Sequence, residues 1–186
     1  MTAASAPTTR HVALLRGINV GNAARISMAD LRAVFEELGY INVRTILQSG
    51  NVVFDSTEKT LATSAASTVQ QAIATKTGVD PVVTIVDAAR FRGIVEANPL
   101  ADIATDPSRG GITFMNEKPS DTVDRPSDEE LLPERIVFGE HAIYQWLPDG
   151  ILATKLSPKY FRQQAAGATF RNLRTVARIV AVLDAD

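Results

Sequence analysis

The chain contains no cysteine in its 186 residues. That excludes a disulfide framework, a thiolate metal site and a cysteine nucleophile, and it fits a reducing cytoplasm, the expected location. Histidine is almost as scarce, His11 and His141 being the only two. They stand far apart in strand-like contexts and read as structural or surface residues, so no metal site and no cofactor are expected. No apolar run approaches the ~20 residues that span a bilayer, so no membrane partner is expected either. Neither sign of charge dominates: 19 Lys and Arg stand against 21 Asp and Glu, a net charge of −2. No global basic field therefore draws the chain to nucleic acid, although a local patch stays open. The phosphate-binding loop G-x-x-x-x-G-K-[ST], G-x-G-x-x-G and G-x-S-x-G are all missing. The adjacent acids Asp128, Glu129 and Glu130 read as a solvated helix N-terminus favoured by the dipole.

What is there is ordinary globular material, 45% apolar and 22% charged. It suits one compact domain, or two modules of roughly 90 residues sharing a core. The small, polar stretch from Met1 to Thr9 reads as a disordered tail and not as a signal peptide.

The first half reads cleanly. His11 to Arg16 is a short apolar run stopped by Gly17, hence a buried strand. Gly17 to Arg25 is a loop rich in Gly and Asn. Ser27 opens a helix with Asp30 as its capping partner, a stripe of Met28, Leu31, Val34, Phe35 and Leu38, and a stop at Gly39. Val43 to Gln48 and Asn51 to Asp55 flank Ser49-Gly50, read as a two-residue hairpin turn. Ser56 or Thr57 caps a second helix with the stripe Leu61, Ala65, Val69 and Ile73, ending at Gly78. Asp80 to Val86 is a fourth strand. The order β-α-β-β-α-β predicts a ferredoxin-like sandwich over residues 10–87.

Residues 88–186 read as a second α+β module, not independently stable and without a secure topology. Asp87 caps a helix carrying Phe91, Ile94 and Val95, and Gly111 to Met115 is a strand. Ser127 with Glu130 caps a short helix, and Arg135 to Gly139 with Ala142 to Leu147 form a hairpin. Ile151 to Leu156 reads as a further strand, and Ser157-Pro158 opens a short helix. Thr169 caps the last helix, whose stripe is Leu173, Val176, Ala177, Val180 and Leu183. No sequence repeat links the halves.

Topology gathers one polar cluster. In a split βαβ sheet the end of the first strand lies beside the start of the third. That brings Arg16, Gly17, Ile18 and Asn19 next to Gln48, Ser49, Gly50 and Asn51, at the same pole as the helix start at Ser27. With a two-residue turn, Gln48 pairs with Asn51. Val43, Leu47, Val52 and Phe54 then face the helices, while Ile46, Gln48, Asn51 and Val53 face the other way. Arg16, Gln48 and Asn51 would line the edge of a cleft between the halves. With Thr169 as cap, Arg171 and Asn172 fall in the first turn of the last helix. A cation there opposes the dipole, so Arg171 and Arg16 are expected to share an anion, with Lys155 contributing. The plainer alternatives stand beside this: the glycines and asparagines serve turn geometry, and each arginine satisfies a local carboxylate.

ALLRGINVG (13–21), SMADLRAVFEELGY (27–40) and ILQSGNVVFDS (46–56), with YQWLPDGI (144–151), TKL (154–156) and TFRNLRTV (169–176), resemble the bacterial domain-of-unknown-function 1697 family. The resemblance implies a two-part α+β protein with a ferredoxin-like first part; it supplies no activity. The positions matching its motifs are Arg16, Gly17, Asn19, Gly21, Gln48, Ser49, Gly50, Asn51, Lys155, Arg171, Asn172 and Thr175. Where the family often carries a lysine-containing loop, this chain has Asn22-Ala23-Ala24-Arg25; Leu173 and Arg174 stand where it usually has tryptophan and asparagine.

The expected function is the binding of a small anionic or nucleotide-like ligand through Arg16, Gly17, Asn19, Gln48, Ser49, Asn51, Lys155, Arg171 and Asn172, by a monomer or homodimer. The alternatives are a nucleic-acid module on the open sheet face, which lacks the stacking aromatics of such readers, an enzyme at the same pole with Ser49 as its one evident nucleophile, and a structural role.

Overall fold

In a computed structural model the described residues are 8–19, 25–57, 61, 64–119, 125–164 and 168–185. The chain divides into two compact units, Met1–Phe91 and Arg92–Asp186.

The first unit runs β1 (Thr9–Arg16), α1 (Met28–Glu37), β2 (Ile41–Ile46), β3 (Asn51–Ser56), α2 (Ala65–Thr77) and β4 (Val82–Asp87), followed by α3 (Ala88–Glu96), which crosses into the second unit. Its four strands are antiparallel in the order β2-β3-β1-β4. One sheet face, carrying Ala13, Leu15, Val43, Val52 and Phe54, packs on Leu31, Val34 and Phe35 of α1 and on Val69 and Ile73 of α2. The α1 start is the one the sequence predicts: the Ser27 hydroxyl accepts the Asp30 N–H at 3.0 Å.

Three expectations for this unit need correction. Strand β1 begins at Thr9, inside the stretch read as a tail; residues 1–7 of that stretch lie outside the described residues. Ser56 ends β3 instead of capping a helix, and α2 starts at Ala65 after Ser64. The hairpin loop has four residues, Leu47–Gly50, because Ile46 pairs with Asn51. Gln48 is therefore a loop residue. Leu47 leaves the core set, standing exposed at φ 59°, while Gly50 takes φ 79°. The Asn51 amide closes the wider loop by donating to the Ile46 carbonyl at 2.8 Å and to Ser49 Oγ at 3.1 Å. The slip is two residues long, so every paired side chain keeps its expected face.

The second unit contains β5 (Gly110–Met115), α4 (Asp128–Leu131), β6 (Arg135–Phe138), β7 (Ala142–Trp146), α5 (Pro158–Gln164), β8 (Ala168–Asn172) and α6 (Leu173–Leu183). Its antiparallel sheet has the order β6-β7-β5-β8. Element for element this is the topology of the first unit, β-α-β-β-α-β with a helix after the last strand. The junctions also match. Asp87 Oδ1 accepts the Arg90 N–H at 2.9 Å where β4 meets α3, and Asn172 Oδ1 accepts the Thr175 N–H at 2.9 Å where β8 meets α6.

Here too the structure corrects the sequence reading. Residues 151–156 form turns and bends, not a strand. The fourth strand is β8, assembled from residues assigned above to the last helix, and the cap of α6 is Asn172, not Thr169. Thr169 and Phe170 instead pair with Phe114 and Thr113 of β5. The stripe of α6 is rotated accordingly: Val176, Ile179 and Leu183 are buried and Ala177 is exposed. Among the described residues no helix is long and apolar enough to cross a membrane.

Candidate functional site

The pole of the first unit, where β1 ends and the β2–β3 hairpin turns, holds most of the residues the sequence singled out. Arg16 is the last residue of β1, opposite Val82, and is exposed. Gly17 follows at φ 86° and is exposed as well. Ile18 turns inward and is 4% exposed. Asn19 is left-handed at φ 53°, a conformation asparagine tolerates better than most residues.

The Asn19 side chain fastens the pole together. Its Oδ1 accepts the Ile26 N–H at 2.8 Å, and its Nδ2 donates to the Ile26 carbonyl at 3.1 Å and to the Gln48 carbonyl at 2.9 Å. One amide thus pins both ends of the loop after β1 and ties that loop to the hairpin. Gly21 to Ala24, within this loop, lie outside the described residues. Gly50 seals the joint from below. Its carbonyl accepts the Leu15 N–H at 2.7 Å, and a Cβ there would come within 2.6 Å of Ile18 Cδ1 and 2.8 Å of Leu15 Cβ.

The residues divide into two sets. Asn19, Gly50 and the fully buried Asn51 are built into the frame. Arg16, Gly17, Leu47, Gln48 and Ser49 stand exposed on it. At the start of α1, Ser27 Oγ donates to Asp30 Oδ2 at 2.7 Å, so a carboxylate already sits at that positive helix end.

The remaining candidates belong to the second unit. The Lys155 ammonium donates to the Glu130 carbonyl at 2.8 Å and to the Leu132 carbonyl at 2.6 Å, satisfying acceptors that the end of α4 leaves open. The carboxylate of Glu134, 4% exposed, accepts the Lys155 N–H at 2.9 Å and the Thr154 hydroxyl at 2.6 Å. Arg171 lies in β8 opposite Ile112 and is 9% exposed. It therefore does not oppose a helix dipole, and the argument that drew an anion to it from that position falls. Burial lowers its guanidinium to about 10, and its Nη1 donates to the Phe170 carbonyl at 2.8 Å. Asn172 is occupied as the cap of α6.

A second polar network, which the sequence reading did not single out, lies at the opposite end of the first sheet. Arg10 meets Asp55 through two hydrogen bonds, Nε to Oδ1 at 2.8 Å and Nη2 to Oδ2 at 3.2 Å, and Asn42 Nδ2 donates to Oδ2 at 2.8 Å. Burial pushes the Asp55 carboxyl up, but the hydrogen bonds from Arg10 and Asn42 outweigh it and hold the group below its usual range. Next to it His11 stacks on Phe54 with ring centroids 5.4 Å apart. Burial lowers the imidazole against the pull of Asp87 and Asp55.

Two four-stranded antiparallel sheets of the same strand order, each with its helices, define a two-unit α+β protein. The chain belongs to the family described as "Protein of unknown function (DUF1697)", which matches residues 8–144. It is similar in fold to the solved structure of a conserved bacterial protein from Streptococcus pneumoniae, with a TM-score of 0.69 and 23% identity over 96% of this chain and 100% of that one. A second solved structure, described as a chlorite dismutase, aligns with a TM-score of 0.23 and 16% identity over 89% of this chain and 90% of its own, and carries no argument. No curated protein matches.

Proposed function

We propose that the first unit binds a small anionic or nucleotide-like ligand at the pole formed by Arg16, Gly17, Gln48 and Ser49. The observation that carries this reading is the division of labour at the pole. Asn19 spends all three of its hydrogen bonds on backbone groups of the frame, so that an exposed arginine, an exposed amide and an exposed hydroxyl stand on a braced support. Of the three non-glycine residues at positive φ among the described residues, two, Asn19 and Leu47, belong to this pole, and the third, Asn42, lies at the other end of the sheet. Strain of this kind costs about 1–3 kcal/mol per residue and persists where the surroundings over-determine it, commonly at ligand clamps. Arginine supplies planar paired donors suited to carboxylate or phosphate, and the Gln48 amide and the Ser49 hydroxyl add donors without charge.

The fold supports the same reading. Both units have the strand order of a ferredoxin-like sandwich, and we take both to be ferredoxin-like. Loops at one end of such a sheet are positioned by the rigid strands beneath them. Calorimetric titration with pyrophosphate and with AMP tests the proposal. The wild type is expected to bind at least one of them, and Arg16→Gln is expected to weaken that binding about 10-fold, as loss of a charge-assisted pair does. Absence of binding by both probes, or equal binding by the variant, contradicts it.

A further inference from the structure

The second unit carries a pocket of about 460 Å³, a typical volume for a small-molecule site. Two consecutive turns form its wall. The Gly150 N–H donates to the Leu147 carbonyl at 2.8 Å, closing a turn with Pro148 second and Asp149 third, and the Ala153 N–H donates to the Gly150 carbonyl at 3.0 Å. The Leu147 N–H donates to the Arg109 carbonyl at 3.0 Å and fixes this wall to the strand edge. The Phe170 ring lies over Gly111, where a Cβ would come within 2.3 Å of it.

The chemistry of the lining is distinctive. Arg109 and Asp149 both face the pocket, one cationic and one anionic. Neither forms an ion pair or a side-chain hydrogen bond with any described residue, and they do not pair with each other; the Asp106 carboxylate lies near enough to interact with the Arg109 charge, but it is hydrogen-bonded to Ser108 and paired with Arg174. The Arg109 guanidinium rests on Gly150, where a Cβ would lie 2.1 Å from its Nη1 and displace it. Asn172, whose Oδ1 is committed to the α6 cap, lines the pocket and keeps an amide donor. Beside these polar groups stand Phe170 and two large apolar side chains on the same wall, Ile151 at 46% and Leu152 at 101% exposure. Ile151 and Leu152 are adjacent, so they set an apolar edge beside a guanidinium and a carboxylate that make no ion pair or side-chain hydrogen bond with the described residues.

We propose that this pocket binds a free α-amino acid with an apolar side chain. The ligand carboxylate meets Arg109 and the Asn172 amide, its ammonium meets Asp149, and its side chain covers Ile151, Leu152 and the Phe170 ring. A simple anion would leave Asp149 unpaired beside it, and a simple cation would leave Arg109 so; a zwitterion satisfies both. This pocket belongs to the second unit and the Arg16 pole to the first, and neither reading depends on the other.

The test is calorimetry with L-leucine and L-phenylalanine beside two truncated analogues, 4-methylpentanoate, which lacks the ammonium, and 3-methylbutylamine, which lacks the carboxylate. At least one amino acid is expected to bind, with the two truncated analogues each about 10-fold weaker or worse. Arg109→Ala should weaken the amino acid about 10-fold, Arg109→Lys should restore part of that loss, and Asp149→Asn should bring the amino acid down to the affinity of 4-methylpentanoate. Both positions are exposed, so thermal unfolding should show the variants folded. No binding of either amino acid up to about 10 mM overturns the proposal. So does 4-methylpentanoate binding as tightly as leucine, or an affinity indifferent to Arg109→Ala and Asp149→Asn.

Discussion

The Asn19 side chain donates to the Gln48 carbonyl at 2.9 Å, joining segments 29 residues apart in sequence. The same amide closes the loop from Asn19 to Ile26 through a reciprocal pair of hydrogen bonds. Asn19→Ala removes all three bonds and keeps a Cβ at a positive φ. The expected loss is about 2–4 kcal/mol, at roughly 1 kcal/mol per bond plus the left-handed penalty. Asn19→Gly loses the bonds but relieves the backbone, so it should be about 1 kcal/mol less damaging. Urea unfolding of the three proteins measures both differences; two variants equal to wild type would show that the brace contributes nothing.

Gly50 is the second requirement of the pole. Gly50→Val demands a positive φ of a β-branched residue and drives a side chain into Ile18 and Leu15. Strain and overpacking together should cost about 2–5 kcal/mol. An unchanged melting temperature would mean that the hairpin adopts another conformation.

Asp55 gives a pH signature. Its folded carboxyl lies below its unfolded value, so its contribution to stability is present above the unfolded value, near 3.9, and is lost as pH falls through the folded one. Asp55→Asn should therefore cost about 1.5–3 kcal/mol at pH 7, and the gap to wild type should narrow as the solution is taken below pH 4. Denaturant unfolding across that range is the measurement. A gap independent of pH would show that packing, not charge, accounts for the loss.

Much of the first unit could be read from the sequence because its signals are local. The Ser27–Asp30 cap, the stripe of Leu31, Val34 and Phe35, and the Gly39 stop lie within one helix. The hairpin is two residues wider than the sequence predicts because nothing in the word Leu-Gln-Ser-Gly announces that leucine will adopt φ 59°. Strand β8 is not legible in the sequence because Thr169 and Asn172 are both good caps three residues apart, and only pairing with β5, more than fifty residues away, decides between them. The repeated topology was invisible for a related reason. At matching positions in the two sheets His11 stands opposite Asp87, and Gly111 stands opposite Asn172. A stacked imidazole occupies the first place, and the ring of Phe170 fills the space over the second. The polar words of the pole were legible, but not their division into frame and tip, which depends on which amide reaches which carbonyl. The pair of Arg109 and Asp149 reads in sequence only as a loop end and a turn residue.

The central claim is that the Arg16 pole receives an anion. The most direct measurement is a titration of isotopically labelled protein with pyrophosphate, followed by the backbone and arginine side-chain N–H resonances. The account predicts saturable shifts at Arg16, Gly17, Gln48 and Ser49, including the Arg16 guanidinium, with the amides of β3 undisturbed. Shifts confined to other residues, or a spectrum unchanged through the titration, would contradict it.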